Sequence, residues 1–430
     1  MLLDELEKDG LIINFNKVPQ TKPKHLPKKV LIWDETLRDG EQTPGTSLLI
    51  DEKIEIAKLM DEMGIPIIAA GFPAVSKDEQ EVVRKLAAEG FKQAKLCAPA
   101  RAIKSDIDIA IQSGAEEVPI FIAFSNLHLK YKLKKTPEEV LNIVTESIEY
   151  AKKHGVIVDF VSEDTSRTSI DNTVKIFKTA VEAGADRVVI TDTVGFLRPE
   201  SMRYLISQIR DRLYEEVKRN IPLSIHNHND FGLATANTLA AIEEGVTIPH
   251  VCVAGFGERA GNAPLEEVVM ALEFLYGVQT GIKTEKIQEL ADLVAQSFAI
   301  LLPVHKAITG ENAFSHEAGI HVHGILAHRL TYEPIPAETV GRKTDFYMGK
   351  HTGSQIVKKK LKEKHIKATD EQINQIVSRV KETHKLRDKV EMLRQVHKAA
   401  ELLRETRLGL KEDEFWDIVK TITGKNPRSN

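Results

Sequence analysis

The chain has 430 residues, of which 28% are charged and 42% apolar, with a formal net charge of −4. That balance supplies no basic field for nucleic acid or an anionic membrane, and no run approaches the ~18 apolar residues of a membrane span. Cys97 and Cys252 both lie in apolar, strand-like runs, which excludes a disulfide framework and fits a reducing compartment. The acidic start, Met1-Leu2-Leu3-Asp4-Glu5, is unlike a secretory or transit peptide, so a cytoplasmic protein is expected.

Residues 1–29 carry prolines at 19, 23 and 27 and read as an extended lead-in. From Lys29 short β-branched runs alternate with helical patterns. Strands are expected at 30–33, 66–70, 94–97, 118–123, 156–160, 188–190, 222–225 and 251–254. Helices are expected between them, at 50–63, 78–89, 137–154, 171–183, 199–217 and 233–244. Glycines at 64, 90, 114, 155, 184 and 245 sit where helix C-caps belong. Eight βα units over 30–280 predict a (β/α)8 TIM barrel. A doubly wound sheet is the alternative, but the first strand leads into Asp34-Glu35-Thr36-Leu37-Arg38-Asp39-Gly40 rather than a glycine-rich phosphate loop. Beyond the barrel, 284–302 reads as an apolar helix. Residues 281–353 are expected to form a linker subdomain, irregular and rich in His and Gly over 303–353, and 354–430 a charged, mainly helical subdomain.

Barrel chemistry sits at the C-terminal ends of the strands. Those ends carry Arg38, Asp39, Glu41 and Gln42; Ser162, Glu163, Asp164 and Arg167; Thr191, Asp192 and Thr193; His226 and His228; and 257–262. His226 and His228, two apart on a strand, share a face. They are either hydrogen-bonded histidines or, with one carboxylate, a site for Mg, Mn, Zn, Co or Fe(II). Arg38 is either a surface ion-pair partner or an electrophile for a developing oxyanion. Glu163 is either part of an acidic turn or a general base. The basic run 128–135 is a solvated helix start or a contact for the phosphates of coenzyme A.

Four segments carry a resemblance: 34–42 (DETLRDGEQ), 191–195 (TDTVG), 226–232 (HNHNDFG) and 257–263 (GERAGNA). They resemble the signatures of the 2-isopropylmalate, homocitrate and citramalate synthases, metal-dependent TIM-barrel enzymes that condense acyl-CoA with 2-oxo acids. The resemblance covers roughly 30–353. It implies a Claisen-type condensation of acetyl-CoA with a 2-oxo acid, followed by thioester hydrolysis. It makes Asp39, His226 and His228 ligands of a divalent metal (Mg, Mn, Zn or Co), with Asn262 beside them. Arg38 would polarise the ketone, Thr193 contact the substrate carboxylate, and Gln42 add a substrate contact. His321, in the segment 315–324, would be an acid/base group with Tyr332 beside it, both contributed across a domain-swapped homodimer.

The 2-oxo acid is expected to be of the 2-isopropylmalate-synthase type. Asp159 stands where homocitrate synthases place an Arg for a distal carboxylate, and Pro119 where leucine-type enzymes often carry His. Segments 70–74 and 121–125 resemble the leucine-type branch, and Val161 adds apolar wall. The helical tail is unlike the glycine-rich regulatory domain of many leucine-pathway synthases. Homocitrate and citramalate synthases are the alternatives. A hydroxymethylglutaryl-CoA lyase would carry a Cys in the loop 255–261, where this chain has none, with Cys252 expected within the last strand. A non-catalytic barrel is the remaining alternative.

Overall fold

The computed structural model describes residues 2–385, 389–405 and 409–424, which fall into two compact units. The first comprises residues 1–43, 49–294 and 307–309. Its strands are β1 (Trp33–Asp34), β2 (Ile67–Ala69), β3 (Lys95–Cys97), β4 (Ala100–Arg101), β5 (Glu117–Ala123), β6 (Ile157–Glu163), β7 (Arg187–Asp192), β8 (Leu223–Asn227) and β9 (Ile248–Val251). All pair in parallel. β1 bridges β2 and β9, and Cys97 of β3 opposes Glu117 of β5, which closes eight strands into a barrel. The two-residue β4 lies beside β5 as an extra element.

The helices follow from local chemistry. The helix Ile50–Met63 ends at Gly64 with φ +92°, where a Cβ would sit 2.9 Å from the Gly281 carbonyl oxygen. Thr136 and Glu139 form a capping box at the start of Pro137–Lys153. Ser76 and Ser169 cap the helices at 77 and 170. The barrel interior is filled by Trp33, Ile67, Ala69, Cys97 and Ile248.

Three expectations shift. The last barrel strand is 248–251, not 251–254. The run Val251–Ala254 is apolar, but its backbone turns into a 3-10 segment at Val253–Gly255, with Ala254 at φ +56°. Cys252 therefore lies one residue past the strand rather than within it. The lead-in is not simply extended: a helix forms at Leu2–Lys8, where Lys17 reaches Asp4 and Glu7 at 2.5 and 2.8 Å. The apolar helix is shorter than expected, Ile287–Ser297.

The second unit comprises 44–48, 295–306 and 310–430. Strands β10 (Ser315–His316) and β11 (Asp345–Phe346) pair in parallel. The helices Gly319–Ala327, Ser354–Glu363 and Asp370–Lys385 share a small core of Val322, Ile356, Val357 and Ile373. Helices Lys389–Glu405 and Glu412–Thr423 bury none of their described residues. Among the described residues no helix is long and apolar enough to cross a membrane.

Candidate active site

A pocket of about 970 Å³, mouth included, opens at the C-terminal ends of the barrel strands. Its lining has two characters. The polar lining residues are Glu35, Arg38, Asp39, Gln42, Lys132, Glu163, Thr191, Thr193, His226, His228 and His250. The apolar ones are Ala69, Phe72, Cys97, Pro99, Pro119, Phe121, Val161 and Val189.

β8 carries His226, with His228 one residue past its end. Both are buried, and their Nε2 atoms lie 3.3 Å apart. Asp39, on the loop after β1, completes a set whose ligand atoms all lie within 4.8 Å of one another. Burial pushes the His226 imidazolium down to about 3, helped by the neighbouring His228. Burial also lowers His228, against the pull of Asp39. Both rings are therefore neutral near pH 7, as metal ligands must be. Burial works against the Asp39 carboxylate, but Arg38 and the two histidines hold it below its ordinary value.

Two buried atoms here, His228 Nδ1 and Asn262 Oδ1, have no hydrogen-bond partner in the protein. The Asn262 amide donates to Asp39 Oδ2 and lies 3.4 Å from Cys252 Sγ. Two neutral imidazoles, one carboxylate and a spare amide oxygen suit a divalent cation. Glu35, His226 and His250 also cluster within 4.8 Å. That set is the poorer candidate, because Glu35 is committed to Arg38 Nε at 2.7 Å and to His250 Nδ1 at 3.1 Å.

Arg38 is pinned from two sides, by Glu35 and by Asp39 Oδ1 at 3.1 Å. Burial alone would lower it, yet the two carboxylates raise it, so the guanidinium stays charged. Thr193 Oγ1 accepts from the Asp164 amide at 2.9 Å. Glu163 ends β6 and is held by Lys132 Nζ, 2.6 Å from each carboxylate oxygen. Gln42, Thr193 and Glu163 line the pocket as a group with Arg38 and the histidines.

His321 and Tyr332 belong to the second unit. Their rings stack with centroids 4.2 Å apart. Glu41 and Arg167 do not line the pocket: Glu41 pairs with Lys53 at 2.5 Å and Arg167 with Asp164 at 2.7 Å. The expectation that Asp159 reads the substrate tail is corrected. Asp159 is wholly buried among the inner strands, 3.3 Å from Arg187, and is not a lining residue. Pro119 and Val161 do line the pocket.

Sequence reasoning missed Glu35 and His250, although Glu35 lies within the quoted motif. His250 would have emerged had the last strand been framed on 248–251. It stacks on Trp33 at 4.2 Å and carries Glu35 towards Arg38.

Residues 29–294 match the family model described as HMGL-like, and 308–388 match the one described as homocitrate synthase post-HMGL domain-like. The chain is 50% identical over 361 residues to a 2-isopropylmalate synthase of Methanocaldococcus jannaschii, covering 83% of this chain and 68% of that protein. It is 46% identical to the (R)-citramalate synthase CimA of the same organism, covering 82% and 70%. The hydroxymethylglutaryl-CoA lyase structure from Pseudomonas aeruginosa superposes with a TM-score of 0.55 at 22% identity, over 70% of this chain and 99% of that one; it shares the fold.

Proposed function

Because this chain belongs to the HMGL-like family, in its branch of acetyl-CoA-condensing synthases, we propose that it joins acetyl-CoA to a 2-oxo acid with a short apolar side chain, as a 2-isopropylmalate synthase does. One observation carries the substrate reading: beside its polar groups the pocket is lined by Pro119, Phe121, Val161 and Val189. Such a wall desolvates an alkyl group favourably, and the lining cations Arg38 and Lys132 are already paired with Glu35, Asp39 and Glu163, so a distal carboxylate would have to compete for them.

Asp39, His226 and His228 would hold a divalent cation, with Asn262 beside it. When bound, the cation supplies Lewis-acid polarisation of the ketone. Arg38, fixed by Glu35 and Asp39, adds a permanent positive charge where the ketone oxygen becomes an alkoxide. Thr193 and Gln42 orient the 2-oxo acid head. Glu163 serves as the base for the acetyl methyl group. His321, stacked on Tyr332, is an acid/base group contributed by the second copy of a domain-swapped homodimer. The setting is cytoplasmic, in amino-acid biosynthesis, and both cysteines are buried free thiols.

The test is release of free thiol from acetyl-CoA, with Mg or Mn and a panel of 2-oxo acids. The branched 3-methyl-2-oxobutanoate should react fastest, ahead of pyruvate. A wide margin in favour of 2-oxoglutarate would make this a homocitrate synthase and refute the apolar reading.

A further inference from the structure

The pocket's carboxylates and cations are unequally free. Among its described lining residues, Glu35 and Asp39 are tied to Arg38. Glu163 is held instead by Lys132, whose side chain is half exposed. The contact is two-fold, with Nζ 2.6 Å from both oxygens, so the ammonium covers the face that a base would use. The two residues meet because β5 and β6 are neighbours, Ala123 opposing Glu163, and the chain turns after β5 into the π-helical segment Leu129–Leu133. That turn ends at Lys134 in the left-handed conformation, φ +53°. Single π-turns recur at functional sites. With Lys132 half exposed and Glu163 partly open to solvent, the pair is screened and worth ~1 kcal/mol, so Lys132 can leave Glu163 at small cost. Its flexible stem carries a compact point charge.

Deprotonating an acetyl thioester needs a base at the methyl group and a positive charge at the thioester oxygen. Arg38 is pinned at the metal end and cannot serve both centres. We propose that Lys132 leaves Glu163 as the acyl thioester enters and becomes the cation that holds the thioester oxygen during enolate formation. The proposal rests on the condensing reading above.

Its steps balance. The methyl C–H bond breaks and the proton passes to a Glu163 oxygen. The C–H pair becomes the enolate double bond, with the negative charge on the oxygen facing Lys132. The enolate carbon then bonds to the ketone carbon, and the ketone π pair becomes an alkoxide, balanced by the proton removed. Water later cleaves the thioester and releases the thiol.

The test compares wild type with Lys132→Met and Lys132→Arg, with unlabelled and methyl-deuterated acetyl-CoA. Lys130→Met, on the same basic run but outside the pocket lining, is the control. Lys132→Met should lose about 10²–10³ in kcat, the share of a single oxyanion donor, and show a full primary isotope effect. Lys132→Arg should recover part of the rate and Lys130→Met should match wild type. In a Glu163→Gln background, Lys132→Met should cost little more, since the pair acts as a unit. Three results would overturn the proposal: kcat unchanged in Lys132→Met, a rise only in the KM for acetyl-CoA, as a phosphate contact would give, or a lost rate without an isotope effect. If the wild-type enzyme releases no thiol with any 2-oxo acid, the condensing reading itself falls, and this proposal with it.

Discussion

His226 and His228 hold their Nε2 atoms 3.3 Å apart, and burial keeps both rings neutral. Two neutral nitrogens facing each other at that distance, with the Asp39 carboxylate alongside, are better satisfied by a shared cation than by each other. His228→Ala should therefore lower bound divalent metal, read by elemental analysis, and abolish metal-dependent turnover. Wild-type metal content and activity in that variant would refute the site.

Gly257 has φ +152°, and a Cβ there would lie 2.2 Å from Asn262 Nδ2 and 3.1 Å from Asp39 Oδ2. Both neighbours belong to the proposed metal site, and at these distances the position has no room for a side chain. Gly257→Ala should raise the Kd for metal at least tenfold while the far-UV circular dichroism stays that of the wild type. Unchanged metal affinity would mean that Asn262 and Asp39 can move apart freely.

The barrel was legible because it is written locally. Alternating β-branched runs, helix patterns and six glycines mark the units, and all six glycines have positive φ. The nearness of Asp39, His226 and His228 was legible because the barrel rule brings strand ends together. What escaped was the pairing across strands. Asp159 looked like a pocket residue, but its depth within β6 and its link to Arg187 depend on the register of three strands. His250 escaped through a three-residue error in framing the last strand. Lys132 read only as one charge in a basic run, since its contact with Glu163 spans 31 positions.

Lys53 is a second pairing of this kind. Its side chain is fully buried, with Nζ 2.5 Å from Glu41 and 2.9 Å from Glu79, and Glu79 also accepts the Phe72 amide at 3.1 Å. The cation thus ties the loop after β1 to the first turn of the helix at 77, and through Glu79 to Phe72, next to the pocket residue Gln42. Lys53→Met would leave the two carboxylates without their shared cation and should cost about 3–5 kcal/mol. A urea-midpoint shift checks this. The triple variant Lys53→Met, Glu41→Gln, Glu79→Gln should regain part of the loss.

His321→Ala should bind the 2-oxo acid normally yet lose roughly 10²–10⁴ in rate, the share of a general acid–base group. Mixing that variant with His228→Ala after unfolding and refolding tests the swap. Regained activity is expected if one copy lends His321 to the other's barrel, because a mixed dimer then holds one intact site. No regain would mean that each site draws on a single chain.

Asp34 gives a stability signature separate from catalysis. It is wholly buried, and burial pushes its carboxyl up to about 7, against the hydrogen bonds it accepts from the Thr36 amide and hydroxyl. In the unfolded chain the same group titrates near ~4. Between those values the folded protein keeps a proton that the unfolded chain releases. Stability should therefore fall as pH rises from about 4 to about 7, by about 1.4 kcal/mol per unit for this group, and level off above. Asp34→Asn mimics the protonated form, so its advantage over wild type should grow across that window and then stay constant. Urea midpoints of both proteins at pH 5, 6, 7 and 8 measure it. An advantage that does not change with pH would mean that Asp34 is charged in the fold throughout.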